Sequence, residues 1–156
     1  KGDVARIERD GRALRLGDGT ALMVESAQLL TDGGDFILRF DGTGGGSMDE
    51  GDGTTVRIER VAAWQPTAVE LAGFAGGYTS DDAEVTLTVQ FQNGSLEITR
   101  RPDSVFPLTP LYTDAFDSEL GTILFRRDAK GQVEAFSVVT DRVWDLRFSR
   151  ESQSPR

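Results

Sequence analysis

Carboxylates are the main side chains in this sequence that could move a proton. It holds no histidine and no cysteine, and of its 17 basic residues only Lys1 and Lys130 are lysine. That removes the imidazole base of a Ser-His or Cys-His system, imidazole and thiolate metal ligands, and disulfides. Two acid clusters, Asp81-Asp82-Glu84 and Asp114-Asp117-Glu119, have the residue types of a paired-carboxylate acid/base site. Both fall at predicted turns among polar neighbours, where a carboxyl keeps its solution pKa and serves solubility, so no catalytic residue is assigned. Asp41, Asp49, Glu50 and Asp52 flank a glycine-rich loop and offer hard oxygen ligands for calcium. Their spacing does not follow the EF-hand order, and the loop matches neither a P-loop nor a dinucleotide fingerprint. No metal and no cofactor is assigned.

Two other sets of residues suit binding. Arg100-Arg101 and Arg126-Arg127 could hold an anion, since alternation in a strand turns one arginine of each pair inward or places it at a barrel end. Salt bridges to the many nearby acids are the preferred reading. Trp64, Tyr78, Tyr112, Phe116, Trp144 and Phe148, together with Phe74, could line an apolar cavity. A filled core is the competing reading, and periodicity does not separate the two.

The elements that must position these residues are strands. Val85, Leu87, Val89 and Phe91 alternate with Thr86, Thr88 and Gln90, then Asn93-Gly94 supplies a tight turn, and Leu96 and Ile98 return. The first half repeats the device around Asp10-Gly11, with Ala5 and Ile7 before it and Leu14 and Leu16 after. Further runs are Leu22 and Val24; Phe36, Leu38 and Phe40; Val56 and Ile58; 105–111; 123–125; 133–139; and Trp144, Leu146 and Phe148, separated by Gly and Asp turn signals. One helix is predicted, with Thr67 as N-cap and Glu70 closing a capping box, ending in the glycines at 73, 76 and 77. The run Gly44-Gly45-Gly46-Ser47 has the composition of a flexible linker.

Short runs recur in order across the two halves. Leu29-Leu30-Thr31-Asp32 answers Leu111-Tyr112-Thr113-Asp114, and Ile37-Leu38-Arg39-Phe40 answers Ile123-Leu124-Phe125-Arg126. Duplication of a half-barrel unit follows. With four or five strands per half, the two would close on each other. The predicted fold is therefore all-β: an antiparallel meander closing into one lipocalin-like barrel of about 8–10 strands. It would span residues 1–150, from half-repeats 1–65 and 66–150 with one short linking helix, followed by a flexible tail at 151–156.

The net charge of -9 is spread over both halves, which gives no basic face for nucleic acid or anionic lipid. No apolar run approaches the roughly 20 residues of a membrane-spanning helix. Lys1 and Gly2 lead into strand-like sequence without a signal-peptide core, which predicts a processed terminus or a fragment edge.

The run Glu70-Leu71-Ala72-Gly73-Phe74-Ala75-Gly76-Gly77-Tyr78-Thr79-Ser80-Asp81-Asp82 resembles the start of a known module. Asn93-Gly94-Ser95-Leu96, Pro107-Leu108-Thr109-Pro110, Asp114-Ala115-Phe116, 123–128, Gly131-Gln132-Val133 and 142–148 continue the resemblance. The module is the C-terminal lipocalin-like domain of bacterial β-lactamase-related serine hydrolases, the group that includes penicillin-binding proteins and D-aminopeptidases. Coverage is good from about residue 66 to 150 and weaker before it. The resemblance implies an accessory barrel with a hydrolase catalytic domain in cis, a periplasmic or extracellular setting, and a role in substrate gating, packing or homo-oligomerisation. The family's Ser-x-x-Lys is missing: Arg127 stands three residues before Lys130, and no Lys-Thr-Gly follows. No catalytic residue is carried over, and the chain itself is not expected to be an enzyme. The alternative function is a free-standing lipocalin-like module that binds a small apolar ligand.

Overall fold

The structure, a computed structural model, describes residues 6–11, 13–16, 20–49, 51–140 and 145–151. The chain divides into two compact units, with the boundary at Ala62 and Ala63. Both are antiparallel meanders, so the all-β prediction holds.

The second unit opens on the helix α1 (Ala68–Ala72). Thr67 caps it as predicted: its hydroxyl accepts from the Glu70 amide at 3.3 Å, and the Glu70 carboxylate accepts from the Thr67 amide at 2.7 Å. That amide donor, followed by the Thr67 hydroxyl, lowers the Glu70 pKa. The helix is one turn shorter than the glycine pattern suggested, because Gly76 and Gly77 belong to a strand. Eight strands follow: β8 (Gly76–Ser80), β9 (Val85–Gln92), β10 (Ser95–Arg100), β11 (Ser104–Tyr112), β12 (Ala115–Asp117), β13 (Thr122–Arg127), β14 (Val133–Val139) and β15 (Leu146–Arg150). Each pairs with the next, and β15 pairs back onto β8 to close the barrel. The alternation read from the sequence puts Leu87, Val89, Leu96 and Ile98 inside, all at most 4 % exposed.

Among its described residues the first unit carries seven strands: β1 (Ile7–Asp10), β2 (Ala13–Leu16), β3 (Ala21–Ser26), β4 (Leu29–Thr31), β5 (Ile37–Phe40), β6 (Gly45–Asp49) and β7 (Thr55–Glu59). They form a sheet in sequence order around a small core of Leu22, Leu30 and Leu38. Two expectations are corrected here. The barrel does not draw strands from both halves, since all eight come from residues 76–150. The physical reason is a strand count: among the described residues the two units hold seven and eight strands, not four or five per half. The glycine-rich β6 and β8 leave no side-chain alternation to read, and β4 and β12 are only three residues long. The supposed linker Gly44–Ser47 likewise contains most of β6, which pairs with β5 and β7. At Gly46 an added Cβ would meet the backbone of Arg39 and Phe40, so glycine lets the strands approach.

The duplication is visible in the pairing. Leu14 opposite Leu22 corresponds to Leu96 opposite Leu108, and Leu30 opposite Leu38 to Phe116 opposite Ile123. Both units also interrupt the ladder at the same place, with a register shift between Val24 and Ser26 in one and between Pro110 and Tyr112 in the other. The sequence matches kept the right order but not the register: the Ile37 run is off by one residue, and the Leu29 run was set against the end of β11, whereas its structural counterpart is β12. Among the described residues no helix is long and apolar enough to cross a membrane.

Candidate functional site

Of the six residues proposed to line a cavity, the barrel brings four into one packed cluster. Trp64 lies edge-on to Phe74 and Phe116, with ring centroids 6.1 and 5.6 Å away. Phe74 and Phe116 are 5.3 Å apart, and Phe125 stands against Phe74, Tyr78, Phe116 and Phe136. Phe136 stacks on Phe148 at 4.8 Å with 16° between planes. Phe74, Tyr78, Phe116 and Phe136 have no exposed surface. Tyr112 ends β11 in a half-buried position, outside this cluster. Trp144 lies outside the described residues. Phe125 and Phe136 complete the cluster and were absent from the candidate set, although both sit at inward positions of apolar runs.

Tyr78 carries the one polar group in this interior that has a titration. Its hydroxyl donates to the Phe74 carbonyl at 2.7 Å. Burial pushes its pKa from 10.0 up to about 12, partly offset by the Arg150 guanidinium. The folded state thus holds the Tyr78 proton more tightly than the unfolded chain. The resulting stability is fully present below pH 10 and is lost as pH rises toward 12, by about 2–3 kcal/mol. Denaturant unfolding at pH 9 and pH 11.5 checks this: Tyr78→Phe should be the less stable protein at pH 9 and should lose less on the rise. An identical alkaline loss in the two proteins would contradict it.

The charged candidates lie at the surface in structural roles. Arg126 donates two hydrogen bonds to Asp145, at 2.8 and 3.0 Å, and one to the Ser137 hydroxyl. Arg127 grips Asp114, contributes an N–H to the Gly131 carbonyl, and lies over the Phe74 ring. Both therefore make the salt bridges preferred in the sequence reading; Arg100 and Arg101 are exposed. The acids of the glycine loop accept hydrogen bonds from their own turns. Asp41 takes the Thr43 hydroxyl and amide and the Gly45 amide, which lower its pKa in that order. Asp49 takes Gly51, and Asp52 takes Thr54. Glu50 lies outside the described residues. No three acidic side chains converge on a metal-sized point among the described residues.

One recess gathers polar groups that the sequence reading had not joined. Thr79, Asp81, Asp82, Arg147, Ser149, Arg150 and Glu151 line an open concavity of about 390 Å³ where β8 meets β15. Thr79 donates to Glu151 at 3.0 Å, and Arg150 is turned inward onto the Ala75 and Val133 carbonyls. Asp81 and Asp82 are exposed in the turn after β8. The recess pairs acids with bases in water and offers no hydroxyl–base couple held away from solvent. Contacts across 72 residues, such as Thr79 to Glu151, leave no signal in local sequence. No protein-family model matches the chain, and no curated protein matches it either.

Proposed function

We propose that this chain is a non-catalytic, lipocalin-like accessory barrel of a serine β-lactamase-like hydrolase, shaping substrate access, packing beside the catalytic domain or supporting oligomerisation. One observation carries the reading most directly: Glu70, Leu71, Phe74, Gly77 and Tyr78 of the 70–82 run that resembles the family module serve to build and close the barrel. Glu70 completes the helix cap, Leu71 and Phe74 are buried, and Tyr78 bonds back to Phe74. Gly77 leaves room for Glu151 at the seam. Side chains used in this way support a scaffold role over a reaction centre. The filled aromatic interior supports the accessory role over the alternative of a barrel that binds a small apolar ligand.

The reading is tested in the parent protein. Its reading frame upstream of Lys1 should encode a domain with Ser-x-x-Lys. Deleting the present chain from that protein should change kcat/KM unequally for short and long substrates, or change its oligomeric state. A frame without such a domain overturns the proposal, and so does a deletion that alters neither property.

A further inference from the structure

The seven-stranded sheet is one strand short of the barrel it duplicates. Strand by strand, β1–β7 repeat β9–β15. Ile7 opposite Leu16 corresponds to Val89 opposite Ile98 at one end of the series. Gly46 opposite Ile58 corresponds to Phe136 opposite Phe148 at the other. Among the described residues the first unit has no counterpart of β8, the strand that pairs with both β9 and β15. Parity gives the same result. In a meander of seven strands the first and last run parallel, so an eighth, antiparallel to both, is what joins them by antiparallel ladders on each side.

Burial falls where that strand would lie. Ile7 in β1 is 38 % exposed, whereas its counterpart Val89, which β8 covers through Gly76, is 1 % exposed. Ile58 in β7 is half-buried, whereas Phe148 is 2 % exposed. Leu16 and Phe40 are half-buried, and their counterparts Ile98 and Phe125 are buried. Among the described residues β1 pairs only with β2 and β7 only with β6, so within them each has one strand partner where an interior strand has two.

We propose that the β1/β7 seam is a docking site for one extended strand, and that its occupant is the polypeptide immediately preceding Lys1 in the full-length protein. In the barrel β8 reaches β9 through the four-residue turn 81–84, so the equivalent strand is adjacent in sequence. Ser80 lies nine residues before Val89, while only six residues precede Ile7, which places the equivalent strand upstream of Lys1. The occupant should carry a bulky inward side chain. In the barrel Tyr78 packs against Phe136 and Phe125, and the first unit has Gly46 where Phe136 stands. This inference does not depend on which enzyme the upstream region encodes.

The test compares hydrogen exchange in the 156-residue chain with that in the chain extended upstream by about 30 residues of its own reading frame. Amides of β1 and β7 should slow by at least about tenfold in the extended protein, with β8–β15 unchanged. Aspartate in place of the inward residues of the added strand should restore fast exchange in β1 and β7 alone. Equal exchange in the two proteins overturns the proposal. So does protection that is already present in the shorter chain and rises with its concentration, which assigns the seam to a second copy. A reading frame that begins at Lys1 overturns it as well.

Discussion

Phe116→Ala will remove about 4 kcal/mol from the stability of the barrel unit. The side chain has no exposed surface and stands edge-on to three rings, Trp64, Phe74 and Phe125, at 5.6, 5.3 and 5.6 Å. Truncation loses the transfer energy of a buried aromatic, the three ring contacts, and the dispersion of neighbours that cannot all collapse into the gap. A domain of this size has a stability of about 5–15 kcal/mol, so the variant stands close to unfolding at physiological temperature. Urea titration followed by near-ultraviolet circular dichroism, which reports the packing of these rings, checks the figure. Val69→Ala is the control: Val69 is 83 % exposed on α1, and its loss should shift the midpoint by very little. A loss below about 1 kcal/mol at Phe116 would mean that the interior has room to spare, and would favour the ligand-cavity reading.

Arg150→Ala is expected to cost about 2–3 kcal/mol, through a different mechanism. The barrel closes at the β8–β15 seam on two paired positions, Ser149 with Thr79 and Arg150 with Tyr78. The Arg150 side chain turns back from that seam and donates to the Val133 carbonyl at 3.1 Å and to the Ala75 carbonyl, with its guanidinium over the Tyr78 ring. Removing it leaves two part-buried acceptors without this donor and strips an aromatic face of its cation. Arg150→Lys should recover only a small part of the loss, since an ammonium cannot reach both carbonyls as a planar fork does. Full recovery by lysine would show that charge alone matters. Amide exchange in β8 should accelerate in the alanine variant before that in β10 or β13, because the seam opens first.

Legibility in the sequence followed side-chain alternation. The β9–β10 hairpin, the bounds of β14 and the Thr67–Glu70 capping box were readable because each has a local pattern that physics ties to one structure. Strands β6 and β8 were not. Gly45-Gly46 and Gly76-Gly77 have no side chains to alternate, so one pair read as linker and the other as a helix stop. That omission, together with the three-residue strands β4 and β12 that are too short to alternate, led to the undercount of strands and hence to one shared barrel in place of two units. The charged pairs were half-legible. Arg127 and Arg126 were expected to meet acids, but Asp114 and Asp145 as the partners depend on which strands become neighbours. Of the aromatic candidates, the inward-facing ones formed the cluster, and alternation alone could not tell a filled interior from a lined one. The recess at the seam had no local signal, since its two sides are some 70 residues apart.

The proposed function has this chain support a reaction without performing one. The most direct measurement is steady-state hydrolysis by the purified 156-residue chain, with a chromogenic β-lactam and a D-amino-acid peptide, beside its cooperative unfolding curve. The predicted result is a folded protein with no turnover above buffer. Saturable hydrolysis that disappears when a residue of this chain is replaced, for instance Asp81→Asn in the recess beside the β8–β15 seam, would contradict it.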